Sequence, residues 1–153
     1  MRKSILYFVF ALLILFLENN YVPAVSEKPL GLGVSAGHET GPVLKYRFSR
    51  KNAVEFGIGF KHDAAIYGGY LWHAWDLFSK DQNGLLGGHA GFGLKIEENR
   101  DSDKLYLRTS AGLDYVFEKH PVELFLEAAP LFQVSPDTKS EFDILFGVRF
   151  YLK

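Results

Sequence analysis

Apolar and polar positions alternate with period two, again and again, from Leu30 to the end of the chain. That is the signature of strands with two unlike faces. The first run, Leu30–Gly37, sets Leu30, Leu32, Val34 and Ala36 against Gly31, Gly33, Ser35 and Gly37. The second places Leu44, Tyr46 and Phe48 opposite Lys45 and Arg47, and Ser49–Asn52 then supplies a tight polar turn. The third opposes Val54, Phe56, Ile58 and Phe60 to Glu55, Gly57, Gly59 and Lys61, completing a hairpin pattern. A fourth run, Ala65–His73, is rich in Tyr and Trp, and its facing is ambiguous.

After a looser stretch, Ala74–Gly84, the fifth run sets Leu86, Ala90, Phe92, Leu94 and Ile96 against Gly87, His89, Gly91, Gly93 and Lys95. In the sixth, Leu105, Leu107, Ala111, Leu113, Tyr115 and Phe117 oppose Tyr106, Arg108, Ser110, Gly112 and Asp114. The seventh, Val122–Ala128, opposes Val122, Leu124, Leu126 and Ala128 to Glu123, Phe125 and Glu127. The eighth, Phe142–Leu152, opposes its Phe, Ile, Val and Leu positions to Asp143, Leu145, Gly147, Arg149 and Tyr151. Eight strands joined by short connections predict an all-β, antiparallel, up-and-down sheet.

The first segment follows another rule. Arg2 and Lys3 precede thirteen unbroken apolar residues, Ile5–Leu17. A spanning helix needs about 17–25 such residues, whereas the core of a secretory signal has about 7–15. Small residues follow at the spacing a signal peptidase accepts, either Ala24-Val25-Ser26, for a cut before Glu27, or Val22-Pro23-Ala24, for a cut two residues earlier. The expected organisation is therefore a signal peptide over 1–26 and one domain over 27–153.

Composition narrows the class. The 17 Lys+Arg nearly balance 18 Asp+Glu, which argues against a nucleic-acid partner. Without cysteine there is no disulfide framework, no thiolate metal site and no thiol nucleophile. The polar face holds much glycine, and its charges balance: Lys45, Arg47, Lys61, Lys95, Arg108 and Arg149 against Glu55, Glu97, Asp114, Glu123, Glu127 and Asp143. A solvated face gains nothing from strand glycines, whereas a narrow lumen needs them. Aromatic residues stand near strand ends on the apolar face (Phe48, Phe60, Trp72, Tyr115, Phe117, Phe150), as an interfacial girdle requires. These features predict an eight-stranded transmembrane barrel in the outer membrane, its large apolar residues toward lipid and its charges inside. The alternative is a soluble periplasmic or secreted barrel with the apolar face inward, binding a hydrophobic ligand.

Several stretches in order carry a resemblance: Leu30–Gly37, Lys45-Tyr46, Ala53–Gly59, Tyr70–His73, Ala111–Tyr115, Pro121–Glu127 with Pro130, and Gly147–Tyr151. The series resembles a family of small Gram-negative outer-membrane β-barrel proteins, known from spirochaetes and other bacteria. It implies an architecture similar to the OmpA and OmpX transmembrane domains. It also implies a structural or surface-interaction role without catalysis, with outer-membrane lipid, the barrel insertion machinery and host or cell-surface proteins as partners.

Candidate chemistry is sparse. Gly31-x-Gly33-x-x-Ala36 imitates a dinucleotide fingerprint, but alternation runs through it where a helix should open. The five histidines lack metal-ligand spacing. His89, between glycines on the lumen face, is expected to hydrogen-bond a lumen carboxylate. His38-Glu39-Thr40 is the nearest imitation of a lipid hydrolase site, with no serine to complete it. No catalytic, cofactor or metal residues are expected. The site expectation is a set of structural lumen ion pairs among Lys45, Arg47, Glu55, Arg108, Asp114, Glu123, Glu127, Asp143 and Arg149. Within it, Glu127 and Arg149 are a candidate cross-strand pair.

Overall fold

The computed structural model describes residues 29–60, 63–75, 77–78 and 83–152. The expected signal peptide, Lys61 and His62 lie outside the described residues. Eight strands form one closed barrel in sequence order. They are β1 (Leu30–Gly37), β2 (Gly41–Arg47), β3 (Asn52–Phe60), β4 (Ala64–Ala74), β5 (Gly84–Glu97), β6 (Lys104–Phe117), β7 (Val122–Ser135) and β8 (Lys139–Leu152). Each strand pairs antiparallel with the next, and β8 closes on β1.

The registers fix the barrel's shape. A path from Gly33 runs through Val43, Gly57, Tyr67, Lys95, Tyr106, Gln133 and Lys139. The β8–β1 register, in which Leu145 faces Gly37, returns that path to the extended line of β1 at a level ten residues beyond Gly33. Eight strands with that stagger tilt about 40° to the barrel axis. A barrel of this size is filled by side chains.

Alternation decides which side chains fill it. Val43, Lys45, Ala53, Glu55, Ala65, Tyr67, Leu71, His73, His89 and Lys95 are buried inside, and so are Tyr106, Arg108 and Asp114 of β6 and the odd-numbered large side chains of β7 and β8 from Glu123 to Leu131 and from Asp143 to Tyr151. The ambiguous fourth run is thereby assigned: Ile66 and Trp72 face out, while Tyr67, Leu71 and His73 face in. The seventh strand is twice the expected length. It continues past Pro130 to Ser135, because Leu131 and Gln133 go on pointing inward and Phe132 and Val134 outward.

Turn chemistry matches the sequence between β2 and β3. There the Ser49 hydroxyl accepts from the amides of Lys51 and Asn52 at 3.2 and 3.0 Å. Gly37 ends β1 at φ 129°, a backbone conformation suited to glycine. A methyl group there would also lie 2.1 Å from the Ile144 carbonyl.

Candidate functional site

The interior carries two ionic clusters with an apolar layer between them. One lies toward the end where the first and last strands begin and finish, here the terminal end. Arg149 is its hub: its guanidinium bonds Glu55, and Glu123 at 2.5 Å, with Asp114 at 3.7 Å. Lys45 Nζ lies 3.0 Å from Glu123 and 3.3 Å from Asp114. Arg47 also bonds Glu123, and Tyr151 donates its hydroxyl to the same carboxylate at 2.8 Å. Arg108 pairs with Glu127. Four carboxylates and four permanent cations therefore compensate one another where water is excluded, as buried charge requires.

Aromatic faces complete the packing. Arg149 sits 3.6 Å over Phe125, Arg108 4.7 Å over Tyr67, and Arg47 lies 4.3 Å from the Tyr151 ring and 5.3 Å from Trp75. Trp75 stacks on His73 with an interplanar angle of 6°, and its indole N–H donates to the Arg50 carbonyl at 2.6 Å. It thus stands as a plug at the terminal end. The glycines give these groups their room. A methyl on Gly57 would lie 2.1 Å from the Tyr67 ring, and one on Gly87 2.3 Å from the Trp75 ring. Above this cluster, Val43, Tyr67, Phe125 and Leu145 form the apolar layer.

The second cluster closes the far end. Lys95 lies 2.5 Å from Glu39, 3.0 Å from Asp143 and 3.6 Å from Glu97, and Glu97 also meets Lys104 at 3.1 Å. Glu39 comes from the β1–β2 connection and fills the space over Gly59, where a methyl would meet its carboxylate at 1.8 Å.

All nine residues of the lumen set stand in the interior, eight in the terminal cluster and Asp143 in the far one. The Glu127–Arg149 pair is corrected. The β7–β8 register sets Glu127 opposite Leu145, and Glu123 opposite Arg149. Glu127 instead bonds Arg108 and His89. Glu39, His73 and Tyr151 are interior partners that patterning did not place in the set. Inward parity was the available signal for Tyr151; His73 lies on the run whose facing is ambiguous, and Glu39 lies outside any strand, so neither gave one.

His89 is held at both nitrogens, with Nδ1 2.6 Å from Asp114 and Nε2 3.0 Å from Glu127. With His73, whose buried Nε2 makes no hydrogen bond, and Asp114, it offers three donor atoms within 4.8 Å. Such a trio has the ligand chemistry of a divalent cation site. Here Lys45 and Arg149 already supply positive charge to Asp114, so the arrangement is better satisfied as a hydrogen-bonded ion cluster. His38 does other work at the rim, where its Nδ1 accepts from the Ile144 amide at 3.1 Å. Glu39, its neighbour, points into the lumen.

No family model matches the chain, and no curated protein matches its sequence. Among solved structures it is similar to the N-terminal β-barrel domain of Pseudomonas aeruginosa OprF. That likeness has a TM-score of 0.57 and 17% identity, and it covers 80% of this chain and 95% of the other. The fold is shared: a closed, eight-stranded, antiparallel up-and-down barrel.

Proposed function

We propose that the chain is an outer-membrane β-barrel, exported through a cleaved signal peptide over 1–26, with a structural or surface-interaction role and no reaction chemistry. The observation that carries this reading is the reversal of polarity across the barrel wall. Among the described residues ten charged side chains are buried, from Glu39 to Arg149, while twenty large apolar side chains on the strands stand exposed, Phe60 and Ile66 at 60% or more. In water such a continuous apolar surface is an aggregation hazard, whereas hydrocarbon matches it. A closed barrel also satisfies the backbone groups that lipid leaves unbonded. The interior described above is filled by ion pairs and aromatic rings, which disfavours a ligand-binding soluble barrel. Membrane lipid, the insertion machinery and surface proteins of a host or neighbouring cell are the partners this role involves.

The test is fractionation of the expressed full chain, followed by gel mobility with and without boiling. Recovery in the outer membrane with a heat-dependent mobility shift is expected. Recovery in aqueous extract would overturn the reading.

A further inference from the structure

The barrel's wall is not of one height. With a stagger of ten residues over eight strands, level advances by about one and a quarter residues from each strand to the next. Corrected for this, all eight strands meet the terminal rim within about four residues of one level. At the far rim they do not. β1 and β2 stop at Gly37 and Gly41, about four to five residues below the ends of β5 to β8, with β3 and β4 rising between. The outward apolar band follows this outline. On β6 it runs from Leu105 to Phe117, and on β1 only from Leu30 to Ala36. At about 3.3 Å per residue and a tilt near 40°, these are roughly 30 Å and roughly 15 Å along the axis.

A second observation lies at the same notch. The β8–β1 ladder ends at Leu145–Gly37, followed by His38 donating to the Ile144 carbonyl at 3.0 Å and accepting from its amide. Beyond Ile144, β8 continues to Lys139 with β7 on one edge. Antiparallel alternation points the N–H and C=O groups of Phe142 and Ser140 away from β7, toward the notch. Backbone groups open in this way are not tolerated in hydrocarbon and need water or lipid headgroups.

From these two features we infer that the bilayer is thinned along the β1–β2 side, its polar boundary drawn down roughly 10 Å to the level of Gly37, His38 and Ile144. The partner is the phospholipid layer itself, with headgroups and water seated in the notch against Thr40, Ser140 and Phe142. This inference rests on the membrane reading above.

Because the chain has no cysteine, single cysteines report position without background. Thr40→Cys, on the short side, and Leu107→Cys, at a similar height on the tall side, would be placed separately in the full chain. Each would be refolded into dioleoylphosphatidylcholine vesicles and exposed to a membrane-impermeant maleimide. Thr40→Cys should label on the order of tenfold or more faster than Leu107→Cys, which the hydrocarbon shields. In the unmutated protein the Phe142 and Ser140 amides should exchange rapidly with deuterated water, while the paired amides of β6 stay protected. If both cysteines are shielded, or the Phe142 and Ser140 amides are protected, the thinning is wrong while the membrane reading stands. If both cysteines label rapidly, the membrane reading fails and the inference fails with it.

Discussion

At the terminal end of the lumen every charged group comes from a strand, and each carboxylate meets at least one cation: Glu123 touches Lys45, Arg47 and Arg149, and Asp114 touches Lys45 and Arg149. At the far end Lys95 is held among Asp143 of β8, Glu97 of β5 and Glu39 of a three-residue connection. The first cluster joins β2, β3, β5, β6, β7 and β8 across the barrel, so its loss unbalances many partners at once. The second fastens a loop over the rim, and Lys95 keeps Asp143 and Glu97 if Glu39 is removed. Buried charge thus serves as the barrel's core in one place and as a latch in the other.

The largest expected effect follows from cutting the hub. Arg149→Met should destabilise the folded barrel by about 3–5 kcal/mol, because Glu55 and Glu123 lose a buried partner. Adding Glu55→Gln should recover part of that loss in urea unfolding from vesicles, and full additivity would deny that the two residues are coupled. Next, Leu126→Arg or Leu113→Arg should cost about 2–4 kcal/mol in a bilayer, the penalty of a lipid-facing cation near mid-depth. Equal stability of either variant in vesicles would remove the lipid-face assignment.

Gly57→Val tests the crowding of the terminal cluster. Its side chain would collide with the Tyr67 ring, and a loss of about 1–3 kcal/mol is expected in the same unfolding assay. The smallest change is expected at the latch. Glu39→Gln should cost about 1 kcal/mol, since Asp143 remains 3.0 Å from Lys95. Combined with Arg149→Met it should be additive, because the two residues share no partner. A strong coupling between them would merge the two clusters into one and end the comparison.

Much of this was legible along the chain. Period-two alternation located all eight strands, because an inward and an outward side chain must differ wherever one face is packed and the other is not. It also gathered Lys45, Glu55, Arg108, Asp114, Glu123, Glu127 and Arg149 on one face. It did not reveal the partners. Glu127 and Arg149 looked like neighbours on adjacent strands, yet a four-residue difference in register gives Glu127 to Arg108 and His89. The fourth run stayed ambiguous because Tyr and Trp suit either face, and only closure of the sheet sent Tyr67 inward and Trp72 outward.

The sequence by itself determined that the chain is a two-faced sheet with balanced charge on its glycine-rich side, since side-chain parity is a local property of extended backbone. Tertiary structure decided what depends on register. It set which charges touch, how Glu39 turns in to cap the far end, and where β1 and β2 fall short of their neighbours. Register couples residues far apart in the chain, from Lys45 to Glu123 or His38 to Ile144. No local pattern encodes the stagger at which eight strands close.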